Sequence, residues 1–443
     1  MGNRKRAALQ NLGCKVNAYE TEAMRQLMEN AGYEIVPFSE EAEVYIVNTC
    51  SVTNIADRKS RQMLHRARRN SPGAVIVATG CYVQTRQEEA GEDPAIDLLI
   101  GNNQKGELIE LLEQCLAQKE QKEKQTPLSV PDINCGVLPF EELTVSAPAE
   151  HTRAFLKVQD GCNQFCSYCI IPYARGRVRS RPLESVLCEV ERLAKNAYRE
   201  VVLTGIHLSS YGVDTGDSLL HLIQSIHGVE GIERIRLGSL EPQIVTEEFV
   251  RALSALPKLC PHFHLSLQSG CDETLARMNR KYTTEEYAKA CALLRRYFTH
   301  PAITTDVIVG FPGESAEEFA QTAEFLERIH FYEMHIFKYS RRQGTRAARM
   351  DGQVPEPVRA ERSSALLALA RRMSGEFREY YKGKAVTALL EEKQMVAGKE
   401  RYVGYTPEYV RVAYESGENL ENTFVSGVLT KRLDAETFAI ENA

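Results

Sequence analysis

The sequence predicts an α/β protein in three parts: an N-terminal open α/β sheet, a central partial (βα)6 barrel and a C-terminal small antiparallel β-barrel. Three observations predict this fold class. Apolar strand patterns alternate with helical patterns over residues 1–116, six strand-then-helix units fill residues 151–376, and the hydrophobic period changes to two from residue 377. With 443 residues the chain has the length of about three domains, at roughly 150 residues each.

Composition and charge exclude several classes of protein. Hydrophobic residues make up 43% and charged residues 26%, which argues against a disordered, collagen-like or purely coiled-coil chain. No apolar run approaches the roughly 18 residues of a membrane-spanning helix, and the start MGNRKRAALQNLGC lacks the apolar segment of a signal peptide. We therefore expect a cytoplasmic protein with no membrane contact. The net charge of -6 gives no sign of a polyanionic partner, so any RNA site must be local.

Residues 1–116 alternate short strands with helices. Strands are predicted at residues 7–10, 44–47 and 74–78. A helix is predicted to begin at Asn17, with Glu20 completing a capping box, and a basic helix is predicted over residues 53–70. Residues 117–150 are polar and then rich in turn formers and proline, so we expect a loose linker there.

Residues 151–376 carry six predicted parallel strands with helical patterns between them. These strands are at residues 154–158, 200–203, 234–237, 262–267, 303–309 and 333–338. Such units with right-handed crossovers form an open or partial barrel whose active site lies at the strand C-termini. From residue 377 to 443, five short strands separated by turn residues predict a small barrel of the oligonucleotide-binding kind.

The chain has twelve cysteines, and in a cytosolic protein these favour metal binding or catalysis over disulfides. Six of them occur singly in helical or loop patterns, where we expect small buried hydrophobic side chains. They are Cys115, Cys135, Cys188, Cys260, Cys271 and Cys291.

The sharpest motif is GCNQFCSYC, which places Cys162, Cys166 and Cys169 just after the first barrel strand. Structural zinc needs four ligands, and no fourth cysteine follows locally. Bacterial ferredoxin runs carry four cysteines in a different spacing. Three thiolates on a cubane of four irons leave one iron open for a substrate, so the spacing favours an iron–sulfur cluster over zinc.

At this loop the chain resembles the radical S-adenosylmethionine superfamily, whose partial barrel and C-x3-C-x2-C loop match residues 151–376. The resemblance implies that six residues at the strand ends contact S-adenosylmethionine. They are Thr204, Gly205, Glu241, Gln268, Arg280 and Asp306. Taken alone, each is typical of barrel-rim packing or capping, but the position at strand C-termini favours a function.

A second group consists of Cys14, Cys50 and Cys81, each at the end of a predicted strand: LQNLGC, YIVNTC and IVATGC. Ligands of open α/β sheets gather at the carboxyl ends of the strands, so these cysteines converge if their strands are neighbours. The residues alone leave a second cluster and chance burial both open.

Over essentially its whole length the chain resembles the methylthiotransferases, through NLGCKVNAYETE, VNTCSVT, TGCYVQ, DGCNQFCSYCIIPYARGRVRSRP and FKYSRRQGT. The resemblance implies two [4Fe-4S] clusters, the second held by Cys14, Cys50 and Cys81, together with S-adenosyl-L-methionine. Reductive cleavage of S-adenosylmethionine gives a deoxyadenosyl radical that activates C2–H of an adenine. Sulfur arrives at the N-terminal cluster, and a second S-adenosylmethionine supplies the methyl group.

This chemistry belongs to the cofactors, so no side chain is predicted as a catalytic acid or base. His207 and His264 are interpreted as structural. An electron donor and a sulfur source are also needed as partners, and the sequence identifies neither.

The K-V-N after Cys14 most resembles the branch of the family that modifies N6-threonylcarbamoyladenosine at position 37 of the tRNA anticodon loop. The branch acting on isopentenyladenosine typically has Q-M-N there, and the branch acting on a ribosomal protein has P-K-N. These substrates remain alternatives. An alternative from another class is a zinc-stabilised RNA-binding module without catalysis.

Three basic clusters are candidate phosphate contacts. They are Arg58, Arg61, His65 and Arg69; Arg175, Arg177, Arg179 and Arg181; and Arg341, Arg342, Arg346 and Arg349. The C-terminal barrel resembles a TRAM domain, an RNA-binding module, yet from Lys384 onward it has 7 Lys+Arg against 10 Asp+Glu. Its RNA contacts must then be local. The candidates are Lys399, Arg401, Tyr402, Tyr405 and Arg411.

Overall fold

A computed structural model describes residues 5–120, 130–136, 138–145 and 152–441, and its N-terminal part is an open α/β sheet. The strands are β1 (Arg6–Asn11), β2 (Glu34–Ile35), β3 (Val44–Thr49), β4 (Val75–Gly80) and β5 (Leu98–Ile100). The helices are α1 (Lys15–Asn30), α2 (Asn54–Asn70), α3 (Cys81–Thr85), α4 (Gln87–Gly91) and α5 (Leu108–Glu120). All strand pairs are parallel, in the order β2-β1-β3-β4-β5.

Helices cover both faces of this sheet, so β3 and β4 are buried along their whole length. Leu64 and Ala67 of α2 pack on one face. Met24 and Met28 of α1, with Leu108 of α5, pack on the other. Because β1, β3 and β4 are neighbours, the loops at their carboxyl ends meet at one edge of the sheet.

Helix α1 begins at Lys15 rather than at Asn17, and the predicted capping box is wrong. Cys14 occupies the N-cap position without a side-chain cap. The Asn17 amide instead donates to the carbonyl oxygens of Leu12 and Thr49, at 2.8 and 3.0 Å. Glu20 is buried against charges of the central barrel. Asn17 and Glu20, which the local pattern assigned to a helix cap, thus contact distant parts of the chain instead.

The segment after α5 is packed where the structure describes it, so a loose linker is wrong for residues 130–136 and 138–145. Val130 is buried against the N-terminal sheet domain. Leu143 and Val145 pack with Tyr19 of α1. The predicted linker residues 121–129, 137 and 146–150 lie outside the described residues.

The central part has six parallel strands, as predicted, and one short antiparallel strand. The strands are β6 (Ala154–Asp160), β7 (Arg179–Ser180), β8 (Glu200–Gly205), β9 (Arg234–Leu237), β10 (His262–His264), β11 (Ala302–Val309) and β12 (Glu333–Lys338). The helices are α6 (Ile171–Arg175), α7 (Leu183–Lys195), α8 (Leu219–His227), α9 (Glu247–Ser254), α10 (Asp272–Arg277), α11 (Thr284–Tyr297) and α12 (Ala316–Ile329). The sequence predicted β10 to extend to residue 267, but the regular strand ends at His264.

The barrel is built from two ladders, β7-β6-β8-β9 and β10-β11-β12, joined by isolated bridges. Alternate side chains of its strands pack under the helices; Phe263 and Leu265 belong to this main hydrophobic core. The intervening side chains of a strand point to the opposite face. His262 and His264 therefore face the interior of the barrel, as do Arg234 and Arg236 of β9.

Helix α13 (Glu356–Tyr380) leads into a closed five-stranded barrel, so the predicted domain boundary at residues 376/377 falls inside a helix. The strands are β13 (Ala385–Val396), β14 (Lys399–Tyr405), β15 (Arg411–Tyr414), β16 (Thr423–Arg432) and β17 (Thr437–Glu441). Four of the five strand pairs are antiparallel, and β15 pairs with β17 in parallel. The predicted three-part α/β fold class is confirmed.

The C-terminal barrel docks on the end of the central barrel at which the strands begin. Arg234 donates to the carbonyl oxygen of Tyr405 at 2.9 Å, and Arg236 donates to that of Pro407 at 2.9 Å. Tyr409 stacks on His262, with ring centroids 5.0 Å apart. The loop between β14 and β15 thereby closes this end of the central barrel.

Four of the six single cysteines are buried as predicted, whereas Cys135 and Cys188 are exposed. Cys135 lies in a turn, where its N–H donates to the Asp132 carbonyl oxygen at 3.0 Å. Cys188 lies on the outward face of α7, beside the fully buried Glu189. Within the described residues we find no helix with both the length and the apolar character needed to cross a membrane.

Candidate active site

The structure brings Cys14, Cys50 and Cys81 together at the carboxyl edge of the N-terminal sheet. Burial, with the neighbouring Cys81 and Cys14 adding to it, raises the pKa of Cys50 to about 12. Gly13 makes room for the group. Its φ is +120°, and a Cβ there would lie 3.0 Å from the Cys50 Sγ. The strands that precede the three cysteines are neighbours, as their convergence requires, and their role as cluster ligands stays a prediction.

The second thiol group is the loop after β6, which carries Cys162, Cys166 and Cys169. The Cys162 N–H donates to the Gly176 carbonyl oxygen at 3.0 Å, and the Cys169 N–H donates to that of Cys166 at 3.0 Å. Burial raises the pKa of Cys162 to about 11 and that of Cys169 to about 12, with Cys166 adding to both shifts. Gly161 permits the tight loop, because a Cβ there would lie 1.7 Å from the Arg177 carbonyl oxygen.

The geometry of both thiol groups fits a multi-iron cluster better than a single zinc ion. Tetrahedral zinc with Zn–S bonds of about 2.3 Å needs sulfur atoms roughly 4 Å apart. In the part of the chain that the structure describes, only His264, Asp306 and His335 bring three ligand atoms close enough for one ion. In each cysteine group at least one pair of sulfur atoms is therefore more than 4.8 Å apart, which is wider than the ligands of one zinc ion.

Each thiol group adjoins a short helix, and these two helices pack against each other. Helix α3 begins at Cys81, and α6 begins two residues after Cys169; the two helices are in contact. The Asn102 amide bridges them, because its Nδ2 lies 3.8 Å from the Cys81 Sγ and donates to the Ala174 carbonyl oxygen at 2.8 Å. Both cysteine groups therefore border one region between the two domains.

A buried charge network holds the N-terminal sheet domain to the central barrel beside these helices. Glu20 of α1 accepts from Lys157 at 2.7 Å, pairs with Lys105 at 3.2 Å and makes a bidentate pair with Arg175. Burial alone would raise the pKa of Glu20, but these three cations outweigh burial and hold it well below its usual range. Arg175 also donates to Asn17 at 2.6 Å. The network therefore fixes the start of α1, and with it Cys14.

Two of the predicted S-adenosylmethionine contacts, Glu241 and Arg280, form one unit with the radical loop. They make an ion pair at 2.7 Å, and Arg280 Nη1 donates to the Cys166 Sγ at 3.2 Å. Burial raises the pKa of Glu241, but His207 and Arg280 outweigh burial and lower it. The pair is thus charged and in direct contact with a cysteine of the loop.

Of the other four predicted contacts, three lie on barrel strands, and Gln268 lies in the segment after β10. Thr204 and Gly205 end β8. Gln268 has a φ of +73°, and its N–H donates to the Asp306 carbonyl oxygen at 2.8 Å. The Asp306 carboxylate lies 3.4 Å from His264 Nε2, inside the barrel. Their role in binding S-adenosylmethionine stays a prediction.

Sequence reasoning missed several residues that shape this region. Gln159 of β6 accepts from the His207 N–H at 2.7 Å, and its amide donates to the Asp160 carbonyl oxygen at 2.7 Å. Tyr282 accepts from Arg280 Nε at 2.8 Å and orients that guanidinium. Gln159 could have been found in the sequence, because it is a polar residue at an inward-facing position of a predicted strand. Tyr282 lies outside any strand, and no sequence feature pointed to it.

The basic clusters are only partly available for phosphate. Within the second cluster Arg175, Arg179 and Arg181 are buried, so the prediction that they contact phosphate is wrong; their partners include Glu20, Asp160 and Glu189. Arg342 of the third cluster is also buried, 3.0 Å from Asp57 and 2.9 Å from Ser51. Exposed members are Arg58, Arg61, His65, Arg69, Arg177, Arg341, Arg346 and Arg349.

Two exposed members of the cluster on α2 already have acidic partners: Arg61 pairs with Glu89 at 2.7 Å and His65 with Asp93 at 3.0 Å.

The candidate RNA contacts of the C-terminal barrel are mostly unsuitable. Tyr402 is buried in the barrel core, and Arg401 is buried beside Glu415. Tyr405 stacks on Tyr409 at the junction with the central barrel. Arg411 donates to Gln394 and Thr437, and only Lys399 is largely exposed. The alternation of apolar and polar residues predicted the strands, but it did not show which face of each strand points into the closed barrel.

Comparison with known proteins identifies the family. Residues 156–326 match the family model described as the radical SAM superfamily, and residues 6–101 match the uncharacterized protein family UPF0004. The chain is 40% identical to threonylcarbamoyladenosine tRNA methylthiotransferase MtaB of Bacillus subtilis, over 96% of this chain and 93% of that protein. Its identity to the MtaB of Aquifex aeolicus is 42%, over 90% of this chain and 95% of that protein. The chain belongs to the radical SAM methylthiotransferase family.

A related enzyme and a solved structure extend this comparison. The chain is 37% identical to tRNA-2-methylthio-N(6)-dimethylallyladenosine synthase of Syntrophus aciditrophicus, over 88% of this chain and 84% of that protein. The radical S-adenosylmethionine methyltransferase TsrM of Kitasatospora setae superposes with a TM-score of 0.57 at 16% identity, over 76% of this chain and 73% of that one, which shows the shared fold. As a member of its family the chain is an enzyme that uses S-adenosylmethionine and [4Fe-4S] clusters.

Proposed function

We propose that the enzyme methylthiolates C2 of N6-threonylcarbamoyladenosine at position 37 of tRNA. The observation that carries the reaction type is the presence of two three-thiol groups beside the packed helices α3 and α6, one in the loop after β6 and one at the carboxyl edge of the adjoining sheet. The substrate is supported by MtaB relatives at 36% to 42% identity over at least 90% of the chain. The dimethylallyladenosine synthases are 35% to 37% identical over a smaller share.

In this proposal Cys162, Cys166 and Cys169 hold one [4Fe-4S] cluster, and Cys14, Cys50 and Cys81 hold the other. When bound, the clusters and S-adenosylmethionine supply the electron, the radical, the sulfur and the methyl group. The protein contributes binding and orientation. Thr204, Gly205, Glu241, Gln268, Arg280 and Asp306 are proposed to bind S-adenosylmethionine.

The positions of Glu241 and Arg280 support this assignment. Because Arg280 donates to Cys166 and is held by Glu241 and Tyr282, it keeps the radical loop in register with the adjoining strand ends. A charged pair at that point suits the charged methionine end of S-adenosylmethionine. Exclusion of water from a radical site also needs a closed barrel, and the loop around Tyr409 closes its far end.

The proposed partner is the anticodon loop of tRNA, with the reaction taking place in the cytoplasm, where tRNA is used. Single-stranded loops suit such an enzyme because an unstacked base can turn out into a pocket. Exposed arginines of α2 and of the loop after β12 are proposed to contact phosphates. We propose that the C-terminal barrel, which resembles a TRAM domain, adds further RNA contacts. An electron donor and a sulfur source complete the reaction.

Nucleoside analysis of tRNA from a strain lacking the gene tests the function. We expect the 2-methylthio derivative of threonylcarbamoyladenosine to disappear and its precursor to accumulate. In vitro, turnover should require tRNA that already carries the threonylcarbamoyl group. Equal turnover on tRNA without that group, or product only on isopentenylated tRNA, would contradict the proposed substrate.

A further inference from the structure

A cleft of about 570 Å³ lies where the N-terminal sheet domain meets the central barrel. Its walls come from the end of α3, the radical loop with α6, the loop after β12 and the segment around Asp132. Its volume is within the roughly 300–1,000 Å³ that is typical of ligand sites. Because α3 begins at Cys81 and α6 begins two residues after Cys169, the cleft adjoins both thiol groups.

One wall of this cleft is aromatic. Tyr173 of α6 is 45% exposed, and the half-buried Phe165 of the radical loop meets it edge to face, with ring centroids 5.9 Å apart. The Arg177 guanidinium lies over the Phe165 ring, 4.7 Å from its centroid. Phe165 has a φ of +49°, in the left-handed region that a bulky side chain rarely adopts, so the loop holds this ring in place at a cost in backbone strain. Exposed rings beside an arginine form a surface on which nucleic-acid bases stack.

The cleft is also positively charged. Three guanidinium groups line it, those of Arg86, Arg177 and Arg342. Among the described residues of its lining the one carboxylate is that of Asp132. Asp57 of α2 pairs with Arg342 at 3.0 Å, which still leaves three cations against two anions. The cleft therefore favours a ligand that carries negative charge.

Arg342 is held from one side and lacks partners on the other. Its side chain is only 3% exposed, and its Nη2 donates to Ser51 at 2.9 Å and to Asp57 at 3.0 Å. Its Nε and Nη1 have no hydrogen-bond partner in the part of the chain that the structure describes. A buried charged donor without a partner costs free energy, which an anion bound in the cleft would offset.

The cleft is separate from the strand ends proposed to bind S-adenosylmethionine. None of those six residues is among the described residues that line the cleft. In the proposed reaction the radical forms at S-adenosylmethionine, so the target adenine must reach that site, and a base in the cleft belongs to another nucleotide. Because the cleft borders the radical loop, the nucleotides next to the target adenine are the ones within its reach.

We propose that this cleft binds a nucleotide directly next to adenine 37 of the anticodon loop. Its base stacks on the rings of Tyr173 and Phe165, and its phosphate faces the arginines of the cleft. Stacking on an aromatic ring accepts any base, so the cleft holds the strand without reading its sequence. With a neighbour held there, adenine 37 is turned out within reach of the radical. This inference rests on the proposed function and adds the surface that positions the substrate.

The test measures equilibrium binding of three synthetic anticodon stem–loop RNAs to the reconstituted enzyme. All carry threonylcarbamoyladenosine at position 37; one is intact, and the other two lack the base at position 36 or at position 38. We expect the wild type to bind one of these abasic RNAs about 10-fold more weakly than the intact RNA, because one stacked base is lost. Tyr173→Ala should bind the intact RNA about 10-fold more weakly and should not distinguish it from that abasic RNA. Tyr173→Phe keeps the ring and should behave as the wild type does.

A matched control and a charge variant accompany this comparison. Tyr380→Ala truncates a tyrosine that is 40% exposed at the end of α13, and it should behave as the wild type does. Arg177→Gln removes a cation of the cleft and should reduce the slope of log K against log salt by about 1. The exposed Arg371 of α13 provides its control, and Arg371→Gln should leave the slope unchanged.

The outcomes separate this inference from the proposed function. Equal binding of all three RNAs by the wild type overturns the inference without relying on any variant. If Tyr173→Ala keeps the full wild-type preference for the intact RNA, the base is held elsewhere and the inference is wrong. An unchanged salt slope for Arg177→Gln would contradict the phosphate contact in the cleft. If the wild type neither binds nor methylthiolates the intact RNA, the proposed function fails, and this inference fails with it.

Discussion

Cys162, Cys166 and Cys169 lie within eight residues of one loop, whereas Cys14, Cys50 and Cys81 lie on three loops spread over 68 residues. The first group needs one loop conformation, held by Gly161 and by two backbone hydrogen bonds. The second group exists only when β1, β3 and β4 are neighbours in a folded sheet. The radical-loop group therefore depends on the conformation of one loop, and the N-terminal group depends on the order of the strands in the sheet.

The two groups also differ in the charges around them. Arg280 donates directly to Cys166 at the radical loop. Beside the N-terminal group, Arg175 is engaged by Glu20, which belongs to a network of both domains. Changes far from the N-terminal cysteines should disturb that group, whereas the radical loop should respond mainly to changes within it.

The largest expected effect distinguishes the roles of the two groups. Cys166→Ala should reduce reductive cleavage of S-adenosylmethionine to background, because the cluster loses one of only three ligands. Cys50→Ala should leave that cleavage measurable while abolishing methylthio product. Deoxyadenosine and methylthio nucleoside are quantified by chromatography.

Metal content provides the control for these cysteine variants. The wild type should bind about eight iron ions per chain if both clusters are of the four-iron type, and each variant should lose about half of them. Equal loss of cleavage in both variants would contradict separate roles, and zinc without iron–sulfur absorbance would contradict both clusters.

The next effect tests the dependence of the N-terminal group on the charge network. Glu20→Gln leaves Lys105, Lys157 and Arg175 buried with less negative charge, which should cost about 3–5 kcal/mol in the free energy of unfolding. Denaturant unfolding measures this. The control Glu285→Gln removes a fully exposed ion pair with Lys289, which water already screens, and should leave the free energy of unfolding nearly unchanged. Equal effects of the two substitutions would show that the network does not stabilise the fold.

A smaller effect is expected for the glycine before Cys81. Gly80 has a φ of +97°, and a Cβ would lie 2.5 Å from the Thr49 carbonyl oxygen. Gly80→Ala should cost roughly 2–4 kcal/mol and lower iron binding at the N-terminal group. Gly32→Ala has a similar positive φ but no atom within 4 Å, so it should cost only about 1 kcal/mol. Thermal unfolding and iron analysis compare the two variants. Equal losses of stability and of bound iron in both would rule out the steric explanation.

The smallest effect concerns α2, the basic helix that follows the Cys50 loop. Replacing Arg58, Arg61 and Arg69 with glutamine should weaken tRNA binding by about 10-fold and reduce the slope of log K against log salt by about 2. Binding is measured at several salt concentrations. A matched triple variant of Arg192, Arg251 and Arg371, on outer helices, should bind as the wild type does. An unchanged slope for the α2 variant would place the RNA elsewhere.

Sequence patterns predicted the strands well because buried strands carry continuous or alternating apolar runs. Both ends of β9 and of β12 match the prediction. The same patterns failed for Glu20, which was predicted to cap a helix, and for Arg175, which was predicted to contact phosphate. These two residues pair with each other only when the two domains meet. The patterns also failed for Tyr402, because alternation does not reveal that a sheet closes into a barrel.

The three cysteines of the radical loop could be predicted from spacing alone, and those of the N-terminal group from their positions at strand ends. Arg280 shows the limit of both approaches. The resemblance indicated a contact to S-adenosylmethionine, but only the fold brings its guanidinium to the Cys166 Sγ, at 3.2 Å.

The docking of the C-terminal barrel limits what a truncation experiment can show. Deleting residues 385–441 would remove the carbonyl oxygens that Arg234 and Arg236 bind, together with the Tyr409 ring that covers His262. Two buried guanidinium groups would then face solvent, and bulk water would enter the central barrel at the end where its strands begin. If such a shortened chain lost activity, the loss could come from water entering the barrel as well as from weaker RNA binding. The RNA contribution of this domain is better measured by substitutions on its outer surface.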